Sequence, residues 1–221
     1  MPDKTADEIH RALSDLIPKN TPTFRILRCA WSSRLKDTPG RSLIAIARSL
    51  VPLGQWERGF AYELIAHHRG AREALRPGDV IAFGCGIDSW GAVDGFACFV
   101  SGPAWRENKI PTSLVRSWAR SPSRWWRRAA LVSTVPLNNR ARGGKGDARR
   151  TLSICRMLAR DRDDMVVKSL SWALRELSKR DRLSVELFLK EHEKILAARV
   201  NREVRQKLET GLKNPRRGSR T

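Results

Sequence analysis

The sequence predicts an all-α protein, and three observations carry that expectation. Apolar residues recur at helical spacing through most of the 221 residues. Ser, Thr and Asp stand where helices would be capped, and prolines stand where they would stop. No pair of alternating runs flanks a hairpin turn. An apolar fraction of 41% with 8 Trp is enough to collapse into a core, which excludes a disordered basic tail protein.

In chain order, Ile9, Leu13, Leu16 and Ile17 share one helical face, and Pro18 ends that helix. Ile26, Leu27, Ala30, Trp31 and Leu35 predict a second helix. Thr38 reads as an N-cap with Pro39 at the first helical position. Leu43, Ile44, Ala47, Leu50 and Val51 follow, and Pro52 stops them. Trp56, Phe60, Leu64 and Ile65 give a fourth helix. After the Pro77-Gly78-Asp79 break, 80–87 reads as a short buried helix or turn. Ser89 caps a helix to about 99, 112–120 is a short helix, and Ser121-Pro122-Ser123 opens one over 125–135. Asp147, Asp163 or Asp164, and Asp181 are caps for helices to about 159, 179 and 192. A last helix covers 195–208. About a dozen helices joined by short loops are compatible with a globular bundle or a helical repeat array. No strict repeat is visible, but HEAT-type repeats of ~40–47 residues are degenerate enough to be present without one.

Charge is the first pointer to a partner. The chain has 43 Lys and Arg against 23 Asp and Glu, a net of +20. Residues 116–150 hold ten basic residues and one acid, and 199–221 hold eight against two, so these segments carry three quarters of the excess. A localised positive surface on a folded domain suits a polyanion, and nucleic acid fits better than a membrane. No run reaches the ~18–20 apolar residues of a membrane helix. The charged N-terminus has no apolar signal core, so a cytoplasmic protein is expected. Four cysteines, at 29, 85, 98 and 155, form no CxxC pair and have no histidine at ligand spacing. They read as reduced, mostly packed thiols, with no metal and no cofactor expected.

Three groups of residues carry candidate chemistry. Trp90 and Asp94 lie four apart on one helix, which stands an indole beside a carboxylate. That pair suits a sugar oxocarbenium ion, because the charge offsets the developing cation and the ring contacts the sugar. In the run from Arg124 to Leu131, Arg127 and Arg128 precede a small apolar stretch, and a guanidinium there forks onto phosphate oxygens. On the helix from 166 to 179, Leu170, Ala173, Leu174 and Leu177 fill the buried face. Trp172 is then turned outward with Lys168 and Arg175 as a stacking and phosphate-contact group. The loop 138–146, with Arg140, Arg142 and Lys145 among glycines, reads as flexible and suited to backbone phosphates. Trp90 to Arg128 is 38 residues and Arg128 to Trp172 is 44, each close to one HEAT-like period. In a solenoid (an α-α superhelix) such residues project onto one concave face, which would be a basic groove.

The blocks Trp90-x-x-Val93-Asp94, Trp125-x-x-Arg128-Ala129-Ala130-Leu131 and Lys168-x-x-x-Trp172-x-Leu174-Arg175-Glu176-x-Ser178-Lys179 resemble the DNA alkylation repair family, the AlkD-type HEAT-like-repeat DNA glycosylases. The tail from Arg205 to Pro215 is similar to the C-terminus of bacterial members. The resemblance runs from about residue 85 to the end and is only general before it. It implies a single HEAT-like domain over 1–208 with a basic tail over 209–221. It also implies a monomeric glycosylase that removes N3- and N7-alkylated purines from duplex DNA without relying on a base-recognition pocket. By resemblance Asp94 is the catalytic carboxylate, Trp90 and Trp172 contact the lesion nucleotide, and Arg128 holds the DNA. Gly91 and Gly95 depart from the pattern by weakening the helix of the first motif. The rival reading is a non-catalytic HEAT-like nucleic-acid-binding protein, which would need the arginines but not Asp94. A glycosylase/lyase using Lys168 as Schiff-base nucleophile has no further support in the sequence.

Overall fold

The computed structural model describes residues 2–213, and among them every regular element is helical. The chain forms two compact units that divide between Pro111 and Thr112. The first contains α1 (Pro2–Ser14), α2 (Thr21–Arg34), α3 (Gly40–Leu50), α4 (Gln55–His67), α5 (Arg69–Ala74), α6 (Pro77–Gly84), α7 (Trp90–Phe96) and α8 (Gly102–Arg106). The second contains α9 (Thr112–Ala119), α10 (Arg124–Val132), α11 (Val135–Asn138), α12 (Ala148–Met157), α13 (Asp164–Leu177), α14 (Arg182–His192) and α15 (Ala198–Thr210).

In the first unit α3 packs on α1, α4 and α5, and α4 packs on α2 and α7. Helices thus meet partners one to three places along the chain, in the layered manner of a helical repeat. Leu43, Ile44, Ala47 and Leu50 of α3 are buried against Phe60, Leu64 and Ile65 of α4. Two buried carboxylates tie layers together. Glu57 Oε1 lies 2.9 Å from His10 Nδ1, and Asp79 Oδ2 accepts from Arg41 Nη1 at 2.6 Å. In the second unit α13 is the central helix, packed on α10 and α15. It buries Val166, Leu170, Ala173, Leu174 and Leu177.

The local expectations met three kinds of outcome. Caps with a short side chain next to the helix stand as expected: Ser89, Asp147, Asp163 and Asp181 each accept from a backbone N–H of the first turn. Segment 80–87 is helical from Pro77 to Gly84. Boundaries moved elsewhere. Pro39 itself occupies the N-cap of α3, so Thr38 caps nothing, and α15 starts at Ala198 rather than 195. The helix expected over 125–135 is α10, which ends at Val132, with α11 starting afresh at Val135.

The buried face of α2 is a correction. Phe24 and Trp31 are buried, whereas Ile26 and Ala30 face solvent. Phe24 packs edge-on against Phe60 with ring centroids 5.5 Å apart, and that contact sets the rotation of the helix. Ile17 is likewise exposed rather than part of the α1 face. The cysteines are also only half as packed as expected: Cys98 and Cys155 are buried, Cys29 and Cys85 exposed. Residues 214–221, most of the expected basic tail and the end of its motif, lie outside the described residues.

Candidate nucleic-acid interface

The Trp90–Asp94 pair sits at the start of a long helical stretch. Ser89 Oγ accepts from the Ala92 N–H and sets the first turn. Val93 and Phe96 point into the core, fully buried against the helices around them. That orientation leaves Trp90 on the opposite side, 64% exposed, with Asp94 half-buried one turn further on. Gly95 has a packing reason: a Cβ there would stand 3.3 Å from the Tyr62 ring. Beyond Phe96 the helix does not stop near 99. It passes through a π turn, Ala97–Ser101, where the Gly102 N–H donates to the Ala97 carbonyl, and continues as α8. Such turns are uncommon and often neighbour functional sites.

In the second unit, four of the sequence-predicted residues meet in one cleft of about 470 Å³. Arg128, Lys168, Trp172 and Arg175 line it. Lys168 and Trp172 share one face of α13 because the buried apolar residues of that helix occupy the other. Arg128 is only 6% exposed, held on α10 between fully buried Ala129 and the Met165 carbonyl, which accepts from Nη1 at 2.7 Å.

Sequence reading missed three further members, Arg199, Glu203 and Lys213. Arg199 and Glu203 stand one turn apart on α15, whose Val200 and Val204 are buried, so that face was readable as a pattern. Its proximity to α13 was not. Glu203 is 9% exposed and accepts from Ser171 Oγ at 2.7 Å. Arg175 Nη2, Arg199 Nε and Lys213 Nζ lie 3.8, 3.9 and 3.9 Å from its oxygens. Asp164 bridges Lys168 at 2.6 Å and Arg199 at 2.5 Å. The Lys168 hydrogen bond, aided by Arg199, holds the Asp164 carboxyl below the usual carboxylate range. Burial lowers the Arg175 guanidinium against the pull of Glu203 and Glu176, yet it stays charged at any physiological pH. Five cations therefore face two carboxylates around one indole. The excess charge suits phosphate oxygens, and the indole face suits a base or sugar.

The other predicted contacts are placed differently. Arg127 points into its own unit, where Nε donates to Asp161 Oδ2 at 2.7 Å and Nη1 to the Ser121 and Pro122 carbonyls. Arg140 and Lys145 are exposed and Arg142 is half-buried, and none of the three lines the cleft.

Their loop differs from the flexible basic coil expected of it. The Gly144 and Gly146 N–H groups donate to the Asn139 and Leu137 carbonyls, and Asn138 is buried and bonded to Thr134, Thr151 and Asp147. Asn139 Nδ2 donates to Glu176 Oε1 on α13, and Arg180 Nε to the Asn138 carbonyl. A side chain at Gly144 would collide with backbone 2.6 Å away. The glycines close a fitted turn here rather than loosening a linker. Among the described residues no group of three or more His, Cys, Asp or Glu is placed to hold a metal, and no helix is long and apolar enough to cross a membrane.

Among the described residues the helices pack in layers and carry an indole–carboxylate pair and, in the second unit, a cationic cleft around another indole. The family model described as DNA alkylation repair enzyme matches residues 16–208, and the chain belongs to that family. The match extends through α2–α6, where the motif resemblance was only general. No curated protein matches the chain.

Proposed function

We propose that the protein is a monofunctional DNA glycosylase of the AlkD type that hydrolyses the N-glycosidic bond of cationic N3- and N7-alkylated purines in duplex DNA. The observation that carries the reading is Trp90, a large aromatic left 64% exposed one turn from Asp94 on a helix otherwise anchored in the core. An exposed indole one turn from a carboxylate offers a ligand both a stacking face and a negative charge.

In the proposed reaction the bond from C1′ to the purine nitrogen breaks, and the electron pair leaves with the base. The lesion carries a positive charge beforehand, so the base departs neutral without a proton donor. The charge passes to the sugar as an oxocarbenium ion, facing the Asp94 carboxylate and the Trp90 ring. Water adds to C1′, its proton goes to solvent, and an abasic deoxyribose remains. Arg128, Lys168 and Arg175 hold backbone phosphates while Trp172 packs on the nucleotide, and Arg140, Arg142 and Lys145 add outer phosphate contacts. Arg127, committed to Asp161, fixes the start of α10 and so the place of Arg128. The enzyme acts as a monomer in the cytoplasm, on nucleoid DNA, with neither metal nor cofactor.

The test is release of 7-methylguanine from duplex DNA, followed by chromatography of the free base. Asp94→Asn preserves shape and removes the charge, and excision should fall ~10²–10³-fold while DNA affinity holds. Normal excision by Asp94→Asn would remove Asp94 from the chemistry. No excision by the unaltered protein, with DNA still bound, would leave the non-catalytic binder.

A further inference from the structure

The helix that carries Trp90 and Asp94 packs on α4, and Tyr62 of α4 is the fully buried side chain beneath it. The Tyr62 hydroxyl donates to the Phe83 carbonyl, near the end of α6, at 2.8 Å and accepts from Arg58 Nη1 at 3.3 Å. Its ring lies edge-on to Phe83 and tilted against Phe96, with centroids 6.3 and 6.0 Å apart. Burial pushes the phenol above its ordinary value, against the pull of Arg58, so it stays protonated and keeps donating. Arg58 Nη1 also donates to the Cys85 carbonyl at 2.9 Å. One turn apart on α4, Arg58 and Tyr62 therefore hold the end of α6 and the start of the loop that leads into α7.

The same ring meets α7 at Gly95. A Cβ there would stand 3.3 Å from Tyr62 Cδ2 and 3.8 Å from Cε2. The first distance is tighter than ordinary van der Waals contact, so one side would have to give by a few tenths of an ångström. The ring is poorly placed to give, because its hydroxyl is tied to the Phe83 carbonyl and its flanks are packed. The side that yields is α7, and Asp94 is the residue before Gly95. Gly91, one turn earlier on the same helix, has no such neighbour: a Cβ there would meet nothing within 4 Å. Glycine is among the costliest residues inside a helix, and at 95 it lets α7 lie close against Tyr62.

We propose that Tyr62 is a positioning residue for Asp94, setting through Gly95 how far α7 stands from α4 and hence where the carboxylate meets the sugar. The inference rests on the glycosylase reading for its chemistry and on the Tyr62–Gly95 contact for its geometry. Stabilising an oxocarbenium ion requires a carboxylate held at a fixed place, and a misplacement of about 1 Å costs on the order of 10²-fold in rate. A displacement of a few tenths of an ångström scales to roughly fivefold.

The experiment uses the full chain and two duplexes. One carries a pyrrolidine ring in place of a deoxyribose, cationic as the oxocarbenium ion is, and the other a tetrahydrofuran ring, which is neutral. The ratio of their dissociation constants reads the placement of Asp94 without turnover, and single-turnover release of 7-methylguanine reads it with turnover. The unaltered protein should prefer the pyrrolidine duplex by about tenfold or more. Gly95→Ala should cut both that preference and the release rate roughly fivefold, with affinity for the tetrahydrofuran duplex unchanged. Tyr62→Phe frees the ring from the Phe83 carbonyl, so in that background Gly95→Ala should cost less than about twofold in either readout. An undiminished preference in folded Gly95→Ala, an equal loss in both backgrounds, or an equal weakening of both duplexes would each overturn the inference, as would no preference in the unaltered protein. A preference that responds to Gly95→Ala as expected, without base release by the unaltered protein, would support the positioning role while refuting the glycosylase reading.

Discussion

Glu203 is the residue at which stability and DNA affinity should move in opposite directions. Its carboxylate is nearly buried and gathers Arg175, Arg199 and Lys213 within 3.8–3.9 Å. Replacing it with Gln keeps the length of the side chain and an acceptor for the Ser171 hydroxyl, and removes only the charge. At an effective dielectric of ~20, one ion pair near 4 Å is worth about 4 kcal/mol before desolvation. Arg199 and Lys213 are more than a third exposed, so solvent screens their share to ~0–1 kcal/mol each. Arg175 is mostly covered, and stranding a covered cation costs more. The net expectation for Glu203→Gln is a loss of about 2–3 kcal/mol, a fall of roughly 4–12 °C in melting temperature for a chain of this size.

The same change removes a negative charge from the wall of the cleft proposed to receive phosphates. Duplex DNA should therefore bind several-fold tighter, and the slope of log K against log salt should steepen by up to ~0.9. Thermal melts followed by circular dichroism, with fluorescence anisotropy titrations at three or more salt concentrations, read both quantities on one preparation. A parallel loss of stability and affinity would refute the reasoning, because Glu203 would then be aligning the cations for DNA rather than competing with it. An unchanged melt would mean that the three contacts contribute nothing to folding.

Other perturbations separate the remaining assignments. Arg128→Ala should weaken duplex binding and reduce the salt slope by about 0.9, and an unchanged slope would take Arg128 off the phosphates. Release of 3-methyladenine and 7-methylguanine without release of uracil, hypoxanthine or 8-oxoguanine is expected, since only a cationic base leaves neutral without a proton donor. Efficient excision of any neutral base in a side-by-side assay would contradict that mechanism. Burial pushes the Asp79 carboxyl up, but hydrogen bonds from Arg41 and the Arg76 N–H outweigh it and hold the group below its ordinary value. Its stabilisation is therefore complete above the ordinary carboxylate range and lost as pH falls through and below ~4. Denaturant midpoints between pH 3 and 6 should show this slope, and Asp79→Asn should flatten it.

What was legible in the sequence was what is local. Ser89, Asp147, Asp163 and Asp181 cap their helices through groups two or three residues away, so their chemistry is written beside them. The grouping of Lys168, Trp172 and Arg175 followed from the apolar stripe of their own helix. Distant partners decided the rest. Arg127 looks like its neighbour Arg128 until Asp161, 34 residues on, claims it. The face of α2 turns on Phe60 of another helix, and periodicity alone does not say which of two overlapping stripes will find a partner. Glycines misled in a particular way: 143, 144 and 146 suggested slackness, yet Gly144 is required by backbone 2.6 Å away. The division at Pro111 has no composition signal at all.

The π turn after Phe96 works as a phase offset. In an α-helix each residue turns the chain by ~100° and advances it ~1.5 Å. A turn closed by a bond from Gly102 back to Ala97 holds one residue more than its neighbours, so α7 and α8 run on one axis out of step. The direction in which Trp90 and Asp94 face is thereby uncoupled from the anchoring of α8, where Trp105 is buried. Deleting one residue between 97 and 101 would restore a regular helix and swing the indole and carboxylate through about 100° relative to Trp105. No substitution at either residue reaches that outcome. The aim of the pair is thus a matter of counting, adjustable by insertion or deletion and insensitive to the side chains that fill the turn.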